Sequence, residues 1–147
     1  MTYAGTARSD DDRAQRPPYD SGMPLPTPSQ PRVAVVDADR RIQNSLADVL
    51  RVAGVNVVGT AGDVRSALEL MASHRPDVLV VDPRLPDLDA GQALLSSVDL
   101  GWPSIRVVVM GWTEAGESRL DEHAAAFISK SALPEEFLAA TLAACHC

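Results

Sequence analysis

The chain has 147 residues, enough for one domain of ordinary size with a remainder too short to make a second. Its formal net charge of −7 argues against a nucleic-acid surface, because phosphate binding needs clustered Lys and Arg to displace counterions; no nucleic acid is expected, and the expected partner is a protein. The hydrophobic share of 46% and charged share of 22% are those of a soluble globular protein, the apolar runs are too short to cross a membrane, and the acidic, Pro-rich start is unlike a secretory signal, so a cytoplasmic location is expected.

Residues 1–30 carry Asp10-Asp11-Asp12, Pro17-Pro18, Pro24, Pro26 and Pro28 with few large apolar residues, and are expected to form a disordered N-terminal tail. A domain is expected over 31–147. Val33 to Val36 is a short β-branched run, followed by Ile42, Leu46, Val49, Leu50 and Ala53 at helical spacing, with Gly54 as the stop. Val55 to Gly59 repeats the strand signal, and Val64, Ala67, Leu68 and Met71 give a second helix that must end before Pro76. Val78 to Val81 is a fully apolar strand ending at Asp82, followed by a Pro-rich turn and a helix with Ala93, Leu94, Leu95 and Val98. Ile105 to Met110 predicts a fourth strand, Ala126 to Ser129 a fifth, and Pro134 to Cys145 a last helix with proline in its first turn. Cys145 and Cys147, two residues apart, face different sides of a helix and predict no disulfide; with His146 they make too small a set for a structural zinc site.

Alternating helices and continuously apolar strands predict an α/β fold, a doubly wound five-stranded parallel sheet covered on both faces. Ligands of such folds sit at the carboxyl ends of the strands, near the reversal of strand order. The informative residues are therefore those just past each strand: Asp37-Ala38-Asp39, Thr60-Ala61, Asp82-Pro83-Arg84, Gly111-Trp112-Thr113 and Lys130-Ser131. Asp37 and Asp82 are expected to face one another there. Two carboxylates and a lysine at one sheet edge suit Mg²⁺ and phosphoryl chemistry: a hard cation takes oxygen ligands, lysine pairs with phosphate oxygens, and aspartate is a nucleophile that becomes an acyl phosphate. The plainer alternative is that each Asp is a turn residue or helix cap.

From Arg32 to about Cys145 the chain resembles the receiver domain of two-component response regulators, of flavodoxin-like fold. The resemblance rests on VAVVDADRRIQNSLADVL, RPDVLVVDPRLPDLDAGQALL, IRVVVMGW and AAFISKSALPEEFLAATL. The middle block is the most specific, with the family's acceptor Asp, Pro and Asp-Gly falling on Asp82, Pro86 and Asp89-Ala90. The resemblance implies Asp82 as phosphoacceptor, and Asp37 as an acidic residue that positions Mg²⁺ largely through water. It further implies that Arg84 offers the metal its carbonyl, Lys130 contacts the phosphoryl group, and Phe127 is the aromatic that switches rotamer on activation.

The chain departs from that pattern at several places. The family's direct carboxylate ligand falls on Ala38, and its phosphoryl-bonding hydroxyl on Gly111. Asp39 reads as a helix N-cap and Thr113 lies two residues too far along to replace that hydroxyl. The segment between Gly111 and Lys130 is about one helical turn short, so the helix expected there is short or irregular, and Ser131 replaces the family's proline, which puts the associated cis peptide in doubt. The reading that follows is a divergent, pseudo-receiver-like module with phosphorylation weakened or lost, Mg²⁺ bound weakly or not at all, and no enzymatic activity. Its partner is expected to be a histidine kinase or a downstream effector, because the chain ends with its last helix and output is expected through a partner. Phe127 is expected buried beside Gly111, with Trp112 either shaping an interaction surface or standing as a loop aromatic. The alternatives are a conventional Mg²⁺-dependent receiver and, more remotely, a haloacid-dehalogenase-type phosphatase using Asp37 and Asp39.

Overall fold

Continuous β-branched runs have no polar face to offer water, so they occupy the middle of the molecule and leave the helices to cover them. The computed structural model describes residues 30–112 and 124–145. In chain order these form β1 (Arg32–Val36), α1 (Arg40–Val52), β2 (Asn56–Ala61), α2 (Val64–His74), β3 (Val78–Val81), α3 (Leu88–Gly101), β4 (Arg106–Gly111), β5 (Ala126–Ser129) and α4 (Pro134–Cys145). The strands pair in parallel in the order β2-β1-β3-β4-β5, the doubly wound, flavodoxin-like α/β arrangement. The order reverses between β1 and β3, which therefore run side by side with Val36 opposite Val81.

Alternate residues of each strand feed two cores. On one face Ala34, Val36, Leu79, Val81, Val107 and Val109 pack with Ala67, Leu70 and Met71 of α2 and Leu94, Leu95 and Val98 of α3. On the other, Val33, Val35, Val78, Val80, Val108, Met110 and Ile128 pack with Leu50 of α1 and Phe137 and Ala144 of α4.

Helix ends follow local chemistry. Asp39, Asp63 and Asp87 cap α1, α2 and α3, each accepting a backbone N–H of the first turn at 2.8–2.9 Å, from Arg41, Ser66 and Ala90. Gly54 follows the end of α1 at φ 86°, in the left-handed region that glycine adopts at least cost. Glu136 reaches back from the first turn of α4 to accept the Leu133 N–H at 2.9 Å.

Two strand ends and two helix faces differ from the sequence reading. The second strand runs on through Thr60 and Ala61, which lie opposite Val35 and Val36 after a shift in register at Val33/Ala34. Gly111 closes β4 instead of following it, opposite Ser129. The buried stripe of α1 is Gln43, Ala47 and Leu50, rotated from the expected one, and Ala93 of α3 is exposed. Residues 1–29 of the tail expected over 1–30, the segment holding Thr113 and the expected short helix, and His146 and Cys147 lie outside the described residues.

Candidate functional site

The pairing of Val36 with Val81 carries Asp37 and Asp82 off adjacent strands at the same height, held by Asp37 N–H to Ala61 O and Asp82 N–H to Val36 O, each 3.0 Å. Lys130 leaves β5, two strands from β3 and three from β1, its N–H donating to Gly111 O at 2.8 Å, and its side chain crosses the edge back toward the two aspartates. Nζ lies 2.5 Å from Asp82 Oδ2 and 2.6 Å from Asp37 Oδ2. The three side chains are 5%, 10% and 4% exposed, in the order Lys130, Asp82, Asp37. Three groups 45 to 93 positions apart in sequence thus meet at the switch point of the sheet.

The remaining carboxylate oxygens are engaged locally. Asp37 Oδ1 accepts the Asp39 N–H at 2.8 Å, and Asp82 Oδ1 accepts the Arg84 N–H at 3.0 Å. Both are turns in which aspartate binds the backbone two residues on. Asp37 Oδ2 is buried, and the described group that compensates it is the Lys130 ammonium at 2.6 Å. Burial alone pulls the Lys130 pKa down, but hydrogen bonds and Coulomb attraction from Asp37 and Asp82 outweigh it and leave the ammonium above its ordinary 10.5.

A magnesium ion needs near-octahedral oxygen coordination. The donors here are Asp82 and Asp37, each with one oxygen bound to a backbone N–H and the other to Lys130, while position 38 presents an exposed methyl. Asp39 is turned to its cap. Among the described residues no group of three or more His, Cys, Asp or Glu is placed to hold a metal ion. The residues present do not fit magnesium well.

Trp112 stands beyond Gly111, 62% exposed, with its ring centroid 5.8 Å from Lys130 Nζ. Phe127, expected buried, is only half-buried: it lies on β5, an edge strand of the sheet, opposite Val109 of β4, and packs against the α2–α3 core from its margin. Ser129 and Ser131 bracket Lys130 with their hydroxyl oxygens 2.7 Å apart. The described cis peptide is Leu85–Pro86, in the turn after Asp82.

Two contributors escaped the sequence reading. Gln43 is buried under the site and its Nε2 donates to Asp37 O at 2.6 Å, which ties the end of β1 to α1. The signal was a polar residue on the phase of Ala47 and Leu50. Gly91, one position past the expected Asp89-Ala90, is the glycine pressed against the Pro83 carbonyl beside Asp82.

The model of the response regulator receiver domain matches residues 33–142. The transcriptional regulatory protein NarL of Mycobacterium tuberculosis is 32% identical over 123 residues, 82% of this chain and 57% of that protein. Response regulator MprA of Mycolicibacterium vanbaalenii is 36% identical over 114 residues, 74% of this chain and 47% of that protein. The chain thus spans about half the length of these curated relatives. Among solved structures, the signal receiver domain of NarL from Mycobacterium tuberculosis superposes with a TM-score of 0.69 at 31% identity, covering 81% of this chain and 98% of that one. The chemotaxis response regulator CheY4 of Vibrio cholerae shares the fold, with a TM-score of 0.70 at 22% identity, over 79% and 99% of the two chains.

Proposed function

The chain belongs to the response-regulator receiver family of two-component signalling, and we propose that it is a divergent member in which phosphoryl transfer to Asp82 is weakened or lost and output runs through protein–protein contact. The observation that carries this reading is the state of the two carboxylates: one ammonium occupies an oxygen of each, and the neighbouring position supplies a methyl. In the acceptor reaction an Asp82 oxygen would attack phosphorus as the donor's leaving group departs, and Lys130 would pair with a phosphoryl oxygen. For that, Lys130 must leave Asp82 Oδ2, and without a dication the two carboxylates and the incoming phosphoryl group would repel one another across a few ångströms. The family's hydroxyl, which bonds the phosphoryl group, has no counterpart in Gly111. Histidine kinases upstream and effector proteins downstream are the partners this reading names.

A conventional Mg²⁺-dependent receiver is favoured by one fact, the convergence of Asp37, Asp82 and Lys130 at the switch point. One experiment separates the two. With phosphoramidate as donor and Mg²⁺ raised to millimolar levels, the wild-type chain is expected to show little change in tryptophan emission and little acyl phosphate by intact mass. Ala38→Asp should strengthen metal binding, and Ala38→Asp with Gly111→Thr should raise phosphorylation several-fold. Saturable metal binding and near-stoichiometric phosphate on Asp82 in the wild type would establish the conventional receiver instead.

A further inference from the structure

Lys130 is the only lysine in the chain; the other side-chain cations, histidine aside, are arginines. Its ammonium is nearly buried on the two carboxylates, and the aromatic ring above it is Trp112, at 5.8 Å. An indole face is the best aromatic partner for a cation and attracts it within about 6 Å. Trp112 is 62% exposed, and among the described residues it belongs to neither hydrophobic core cluster. Among the described residues, the interaction that distinguishes it is its contact with the lysine.

We propose that Trp112 is a positioning residue of the acceptor edge, holding the Lys130 ammonium down on Asp37 and Asp82 and so keeping it from an incoming phosphoryl group. This rests on the reading of Asp82 as a weakened acceptor. Three attractions act on one charge: two carboxylates on its inner side and a ring quadrupole on its outer side. The lysine side chain is only 5% exposed, and ion pairs strengthen as local dielectric falls.

Having one lysine makes the test direct. The full chain, as wild type, Trp112→Ala and Trp112→Phe, is treated with the acetylating ester N-hydroxysuccinimidyl acetate at one pH. Acetylation at Lys130 is followed by peptide mass spectrometry relative to the chain's α-amine, and thermal melts show that all three variants fold alike. Trp112→Ala is expected to acetylate at Lys130 about fivefold faster than wild type, and Trp112→Phe to return most of the protection, since any aromatic face attracts a cation. Equal rates for wild type and Trp112→Ala would overturn the proposal, as would a Phe variant as reactive as the Ala variant. Phosphoramidate treatment of the same samples keeps the two claims apart. Ready phosphorylation of wild-type Asp82 overturns the weakened-acceptor reading, while the acetylation ratio still decides the role of Trp112.

Discussion

Lys130 is the charge on which the candidate site depends, and its titration sets a pH limit on stability. Its folded pKa is raised above the ordinary 10.5, because the carboxylates of Asp37 and Asp82 outweigh the opposing effect of burial. Between the unfolded and folded values the native state binds the extra proton, so stability falls as pH rises there and is complete below about 10.5. In urea titrations, wild type should lose stability above about pH 10.5 more steeply than Lys130→Met does. At neutral pH Lys130→Met should itself cost about 3 kcal/mol, the order expected when one partner leaves two nearly buried carboxylates uncompensated. Gln43 acts on the same aspartate from below through its 2.6 Å bond to the Asp37 carbonyl. Gln43→Leu keeps the volume but strands that acceptor, and should cost about 1–2 kcal/mol by urea denaturation. If the loss were absent, water would be satisfying the carbonyl, and α1 would not be the support of the β1 end.

At the scale of elements, the loop from β3 to α3 is where packing presses hardest on the site. A Cβ at Gly91 would overlap the Pro83 carbonyl, and Pro83 follows Asp82 directly. Gly91→Ala must therefore displace either α3 or the loop, and should cost about 2 kcal/mol in thermal or urea unfolding, within the range for overpacked sites. A neutral result would mean that the loop yields freely. The resemblance placed the motif glycine at Ala90, and only the packed helix identifies Gly91 as the position that tolerates no side chain. The aspartates after the strands divide in the same way. Asp39, Asp63 and Asp87 cap helices, whereas Asp37 and Asp82 face the lysine. By composition all five are acids in loops; the pairing register at Val36 and Val81 separates them.

For the whole molecule, the sheet and its two cores are built from residues after 31, and the family model begins at 33. Residues 1–29 contribute few large apolar side chains by composition. Their removal should move the melting temperature by no more than about a degree or two, since about 1 kcal/mol shifts a domain of this size by several degrees. A larger fall in a calorimetric scan would show that the leader packs on the domain.

Periodicity and apolar runs sufficed for the α/β class, the five strands and four helices of the described residues and the two candidate aspartates, because hydrophobic burial at periods of 2 and 3.6 is a local property of the chain. The Asp39 cap and the stop at Gly54 were equally local. The methyl at 38 and the glycine at 111 could be read as departures only against the family resemblance. What the sequence could not supply is which side chain touches which. The 2.5 Å and 2.6 Å contacts of Lys130, the indole above it, the amide of Gln43 below Asp37 and the clash that reserves position 91 for glycine join residues from different elements. Such contacts depend on strand order, register and the distance between packed layers, which no single segment specifies, and so tertiary structure alone decided that the two acids share one cation.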